Sequence, residues 1–282
     1  MPRINHNIPA MITSGQLSKV QRDLGKSLER LSTGLRINRA SDDAAGLSVS
    51  ESLRTQVRGS QVANRNANDG IALLKIAEGA ANEISAMLQR MRELSVQSDN
   101  DTLTTVERQY LDQEFQALTE EITRISAAAQ YNGQTLIYGG EGFGVAGGSS
   151  SILHIGANNV QGVDRLALTI TSVSAGALSL TTESISTNGG ALSAITAVDL
   201  AIQSVNRMRS DLGAYINRLE HAVNNLDNQT HNMQAAESTI RDVDFAEEST
   251  MFMRNQILNQ SATAMLSQAN NVPQSVLSLL QG

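Results

Sequence analysis

The chain has 282 residues, 40% of them hydrophobic, yet only four Phe, four Tyr and no Trp, so any core is built from Ala, Leu, Ile, Val and Met, as in a long thin bundle. A formal charge of −7 and a pI near 5.1 exclude a nucleic-acid binder that works through a basic face, and an anionic membrane surface as partner. With no cysteine there are no disulfides, thiolate metal sites or cysteine nucleophiles.

Met1 to Asn7 is polar and lacks the apolar stretch of a signal peptide, and no run approaches the roughly 18 apolar residues of a membrane span. If the protein is secreted, the expected route is export without a cleaved signal peptide, with no membrane insertion. Leu17, Leu24, Leu28, Leu31 and Leu35 then recur at spacings of seven, four, three and four and predict an amphipathic helix that Gly34 loosens or ends. Ser41, followed by Asp42 and Asp43, reads as the N-cap of a new helix, with acidic residues over its positive end. No proline interrupts Leu53 to Leu94, and Leu73, Ala77, Ala80, Ile84, Met87, Met91 and Leu94 keep the three-four rhythm. Asn64 to Asn68 is polar on every face, a pattern that needs neighbours to hold it helical.

Ser98 to Thr102 predicts a turn, Thr104 and Glu107 a capping box, and Leu111, Phe115, Leu118, Ile122, Ile125 and Ala129 a third seam, antiparallel to the second. After Tyr131 the pattern changes. Asn132-Gly133 is a turn dipeptide, Gly139 to Ser151 is rich in Gly and Ser, and Ile152 to Leu180 carries short β-branched runs such as Leu166 to Ile170, so a few hairpins are expected.

The longest seam follows. Ile195, Val198, Ile202, Val205, Leu212, Ile216, Leu219, Val223 and Leu226 alternate at three and four, with Arg209 the one polar residue in register. Such a helix is roughly 50 Å long and calls for equally long partners. From Asp244 onward Met251, Leu258, Ala262, Met265, Ala269, Val272, Val276 and Leu279 form a last stripe, which Pro273 is expected to end or kink. The pattern as a whole predicts a mainly α fold, a long antiparallel helical bundle or coiled-coil rod with a small β-hairpin region in mid-chain.

Several motifs carry a family likeness. Leu31 to Ala40, Ser41 to Leu47 and Arg65 to Ile71 resemble the N-terminal region of bacterial flagellin, and Gln130 to Gln134, Ile155 to Asn158, Ile240 to Ala246 and Val272 to Gln274 resemble its later motifs, in the same order. The resemblance implies a subunit that self-assembles into the flagellar filament used for motility. Its terminal helices would form an inner tube and be disordered in the free monomer. The domain layout expected is 1–40 and 244–282 as paired terminal helices, 41–138 and 193–243 as the helical rod, and 139–192 as the β-hairpin excursion. No outer domain fits between Tyr138 and Ala191, so the filament is expected to be smooth. Leu17, Leu24, Leu28, Leu31, Met251, Leu258, Met265 and Leu279 are the expected assembly anchors.

The same resemblance implies as partners further copies of the chain, an export chaperone, hook-junction and cap proteins, and innate immune receptors. Gln89, Arg90, Glu93, Leu94 and Gln97, with Glu114 of the next helix, fall in the segment that resembles the one bound by the vertebrate receptor, and Glu29 to Ser50 resembles the peptide detected by plant receptors. The runner-up reading is a low-copy hook-filament junction protein.

Other patterns weigh less. Gly142 to Gly147 satisfies GxGxxG with Asp164 about twenty residues on, but Gly148 to Ser151 stands where a helix should begin, so a loop is expected and not a dinucleotide site. His6, His154, His221 and His231 lack zinc-ligand spacing, and Glu120-Glu121 and Glu247-Glu248 point apart on a helix. No catalytic residue, metal or cofactor is expected, and the chain is read as a non-enzyme. The sequons at Asn100, Asn228 and Asn259 are read as coincidence; Ser149 to Ser151 and Thr169 to Thr171 suit the O-linked sugars that the resemblance permits.

Overall fold

The computed structural model describes residues 6–139 and 151–281, with side chains through Asn271. Five helices carry the described fold: α1 (Ile8–Thr33), α2 (Ala44–Ser98), α3 (Thr105–Ala128), α4 (Asn188–Arg241) and α5 (Phe245–Gln281). Two small antiparallel pairs lie between α3 and α4, β1 (Gln130–Tyr131) with β2 (Gln134–Thr135) and β3 (Ser151–His154) with β4 (Arg165–Leu168). The chain divides into two compact units, Met1–Thr55 with Asn232–Gly282, and Gln56–His231.

In the second unit α2 and α4 run antiparallel in fixed register. Asn64 donates to Asp227 at 2.6 Å and Arg92 to Asp199 at 2.7 Å, contacts 28 residues apart on each helix. The innermost positions of α2 are Ser60, Ala63, Ala67, Gly70, Leu74, Ala77, Ala81, Ile84, Leu88, Met91, Ser95 and Ser98, an unbroken three-four series. Leu73 and Leu94 are buried beside it. The buried face is wider than a single heptad stripe because α2 contributes to one core with residues of both α3 and α4. On α4 the inner positions are Val198, Ala201, Val205, Met208 and Leu212, so Met208 occupies the seam and Arg209 sits at its edge. The polar Asn64 to Asn68 stretch stays helical because its amides find partners: Asn64 on Asp227, Asn66 on the His154 carbonyl at 3.1 Å, and Asn68 on the Asn64 carbonyl.

Small residues let the β3–β4 hairpin lie against α2. A Cβ on Gly59 would press on Ala157, and one on Gly70 would collide with Leu153. Asp164, which the GxGxxG spacing offered as a ligand, is buried and accepts from the Val160 N–H of its own loop at 2.8 Å. The GxGxxG stretch itself, Gly142 to Gly147, lies outside the described residues. Asn132 and Gly133 both have positive φ, 50° and 78°, as a tight hairpin turn requires. Asp112 of α3 accepts from the Ile185 N–H at 2.7 Å and pins the chain on its way back to α4.

The capping box before α3 is present, with the Thr104 hydroxyl accepting from Glu107 N–H and the Glu107 carboxylate accepting from Thr104 N–H at 2.7 Å. That backbone bond, then the Thr104 hydroxyl, holds the Glu107 carboxyl below its ordinary value. A depressed carboxyl stabilises the fold above its unfolded-state value and loses that contribution as pH falls through the lowered one. Thr104→Ala removes the N-cap hydroxyl, a loss that costs about 1 kcal/mol of stability in helices generally. In melting curves of the two proteins, the gap should narrow on acidification.

Two boundary expectations are corrected. Ser41 is not the N-cap of α2: helix begins at Ala44, and Asp43 accepts from the Gly46 N–H at 2.9 Å, while Asp42 accepts from the Arg39 N–H in the preceding turn. Pro273 does not end α5, which continues to Gln281. The carbonyl that its missing N–H leaves free, Ala269, accepts instead from the Asn7 side-chain amide at 2.9 Å.

Candidate assembly surface

The first unit is built on the pairing of α1 with α5. Asn7, at the start of α1, meets Ala269 late in α5, and Arg30, near the end of α1, pairs with Glu248 in the first turn of α5 at 3.3 Å, so the two helices are antiparallel. On α1 the less exposed positions Ala10, Thr13, Leu17, Val20, Leu24, Ser27 and Leu31 repeat at three and four, and on α5 Phe252, Asn255, Asn259, Ala262, Leu266 and Ala269 do the same. Large apolar side chains, Leu17, Val20, Leu24 and Leu31 on α1 and Phe252 and Leu266 on α5, alternate in these stripes with small or polar ones. Glu248 is buried and its carboxylate depends on Arg30; together with Glu247 it also lies over the positive end of α5.

Gly34 terminates α1 in the left-handed conformation, φ 74°, with its N–H on the Arg30 carbonyl. The chain then crosses the end of α4. Arg36 N–H donates to the Arg241 carbonyl at 2.7 Å, Val243 N–H to the Gly34 carbonyl at 3.1 Å, and the Arg36 guanidinium to the Ile240 carbonyl at 2.6 Å. Arg241 reaches Glu51 at 2.7 Å. Backbone and charge bonds thus fix where the terminal pair begins.

Once α1 and α5 have packed, much of their large apolar surface is still in water. Met11 is 69% exposed, Ile12 68%, Ile257 61% and Met265 60%; Ile8, Leu28, Phe245, Met251, Met253 and Leu258 are exposed as well. The expected anchors therefore fall into two groups. Leu17, Leu24 and Leu31 are half-buried within the pair, whereas Leu28, Met251, Leu258 and Met265 lie on its outer surface. The side chain of Leu279 lies outside the described residues. Sequence reading missed Met11, Ile12, Met253 and Ile257 because they stand out of register with the seven-residue stripe; a search for a second apolar face on each helix finds them.

In the second unit Arg90 donates to Glu114 of α3 at 2.9 Å and to Glu93 one turn on at 3.2 Å. Gln89, Arg90, Glu93, Gln97 and Glu114 are all exposed, and Gln89, Glu93 and Gln97 line a shallow groove with Arg92 and Val96. Leu94 points the other way and is fully buried in the core. Its side chain holds the face up from beneath and does not form part of the surface. Among the described residues no group of three or more His, Cys, Asp or Glu side chains is placed to hold a metal, and no helix is long and apolar enough to cross a membrane.

Residues 4–141 match the family model described as the bacterial flagellin N-terminal helical region, and residues 195–280 match the bacterial flagellin C-terminal helical region. The flagellin of Halalkalibacterium halodurans is 48% identical over 278 residues, with 99% of each chain covered. Flagellin FlaB2 of Treponema pallidum is 44% identical over 286 residues, again with 99% of each chain covered. The flagellin of Bacillus subtilis is 43% identical over 305 residues, with 99% of this chain and 100% of that one covered. Among solved structures, Bacillus cereus flagellin matches with a TM-score of 0.50 at 29% identity, over 61% of this chain and 94% of that one. A putative flagellar hook-associated protein from Vibrio parahaemolyticus matches with a TM-score of 0.57 over 71% of this chain and 100% of that one; at 15% identity this is a likeness of fold alone.

Proposed function

The chain belongs to the bacterial flagellin family and is a structural subunit of the flagellar filament, and from that premise we propose that its polymerisation runs through the outer apolar faces of α1 and α5. The observation that carries this reading is the exposure of Met11, Ile12, Leu28, Met251, Ile257, Leu258 and Met265 on the helix pair after α1 and α5 have packed. Each large apolar side chain fully removed from water contributes about 1.5–3 kcal/mol, so several together give a strong drive to associate. Head-to-tail contacts whose rotation does not close grow a helical filament and not a ring. In this scheme 1–40 and 244–282 form the assembling termini, 41–138 and 193–243 the helical body, and 139–192 a surface excursion. The filament works outside the cytoplasm. An export chaperone covering the apolar termini before assembly, and cap and hook-junction proteins at the filament ends, complete the set of partners.

A second role rests on the α2–α3 face. Gln89, Arg90, Glu93, Gln97 and Glu114 offer a preformed, ion-paired patch to an innate immune receptor. The polar, exposed character of the five side chains supports this; Leu94 acts by packing beneath them.

Seeded growth tests the assembly reading. Short filament seeds added to purified chain are expected to pellet it with a gain in helical circular dichroism, and removal of both termini to abolish both signals. A full-length chain that stays soluble and already fully helical beside competent seeds would overturn the reading and favour the low-copy junction role.

A further inference from the structure

Asn7 and Pro273 stand at opposite ends of the chain, and one carbonyl connects them. In an α-helix the carbonyl of residue 269 accepts from the N–H of residue 273, but residue 273 is proline and has none. Helix α5 nevertheless runs through this position, and the Ala269 carbonyl accepts from Asn7 Nδ2 at 2.9 Å. The other end of the same amide is also engaged, since Asn7 Oδ1 accepts from Ala10 N–H at 3.2 Å and caps α1. One side chain thus closes the open end of α1 and fills the single gap that proline leaves in the hydrogen-bond ladder of α5.

We propose that Asn7 is a positioning residue for assembly, and that Pro273, by freeing the Ala269 carbonyl, marks the one point on α5 at which α1 can lock. Neighbouring α5 carbonyls already accept from N–H groups of their own helix, whereas the Ala269 carbonyl has no such donor and gains the most from the Asn7 amide. Sliding α1 by one turn moves Asn7 about 5.4 Å and leaves Ala269 unmet. Along the α1–α5 contact Ala10, Thr13, Asn255, Asn259 and Ala262 alternate with Leu17, Val20, Leu24, Phe252 and Leu266, so shape fixes the register only in part. The lock brings Met11, one turn after Asn7, and Met265, one turn before Ala269, to the same level of the antiparallel pair, where both are exposed. This deepens the assembly reading and rests on it: the register decides whether the two helices offer one continuous apolar face or two displaced ones.

A double-mutant cycle in the full-length chain tests the lock. Asn7→Ser keeps a capping oxygen of comparable quality but is too short to reach Ala269. Pro273→Ala returns the missing N–H to Ala269 and makes the Asn7 amide redundant there. In seeded polymerisation, Asn7→Ser is expected to raise the critical concentration roughly tenfold, a 1.4 kcal/mol effect, when residue 273 is proline. Beside Pro273→Ala the same change should matter less than about twofold. Equal losses in both backgrounds, or no loss in either, would overturn the proposal, because a simple capping role does not depend on residue 273. The distance between spin labels on cysteines replacing Gln16 and Ser267, selective because the chain has no cysteine of its own, is read in the same samples, in filaments or in the soluble chain. It should broaden with Asn7→Ser and broaden no further when Pro273→Ala is added, because that change removes the open acceptor on which the lock depends. If no variant and no parent chain polymerises, the assembly reading fails and the distance still decides the lock.

Discussion

A chain lacking residues 244–282 is expected to lose filament formation entirely, its pelletable fraction falling to the level of unseeded protein, while residues 56–231 stay folded. The truncation removes α5, the partner of Leu17, Val20 and Leu24 on α1, together with the outer apolar side chains Met251, Met253, Ile257, Leu258 and Met265. A lone α1 of 26 residues then lacks the partner that holds its apolar stripe, and most of a helix's stability in a protein comes from packing such a face. The helical body does not depend on α5. Its hydrophobic cluster runs from Ala67 to Leu219 without a residue of either terminal helix. Circular dichroism of the truncated protein should therefore keep a cooperative melt, with a loss of helix no larger than the two terminal helices account for. Filaments that still grow from it would remove the main support for assembly through the termini.

Leu94→Ala and a paired change at Arg90 and Glu114 are expected to separate packing from recognition on the α2–α3 face. Leu94 is fully buried among the α2, α3 and α4 side chains, so truncating it leaves a cavity and is expected to cost about 2–5 kcal/mol of stability. Arg90→Ala with Glu114→Ala removes an exposed ion pair that solvent already screens, and the melting temperature should hardly move. Signalling by a cell line that carries the vertebrate receptor should show the reverse ranking at temperatures where both proteins are folded. A sharp loss is expected for the Arg90/Glu114 pair and a small one for Leu94→Ala. If the Leu94 variant, folded and thermally characterised, loses signalling as completely as the pair, a direct contact by Leu94 replaces the packing role.

Seams were legible in the sequence because burial imposes a period. A helix in contact with long partners must place an apolar or small residue every three or four positions, and α2, α3 and α4 do so over most of their length. Local chemistry was legible for the same kind of reason. Thr104 with Glu107 makes a capping box and Asn132-Gly133 a tight turn from residues within reach of each other along the chain, with no need of the rest of the fold.

What a distant contact decides was not legible. Whether Met208 or Arg209 faces the core depends on how α4 is rotated against its neighbours, and both lie within one step of the same heptad position. Pro273 looked like a stop because its missing N–H is a local fact, whereas the compensating amide comes from Asn7, 262 residues away along the chain. Leu94 stood both on the α2 seam and in the segment read as a receptor contact, and only the packed core assigns its side chain to the seam. Composition and periodicity by themselves determined a mainly α chain with amphipathic ends. Which apolar side chains remain outside after α1 and α5 pair, and so are left for other copies of the chain, was decided only in three dimensions, because exposure is a property of neighbours and not of residues.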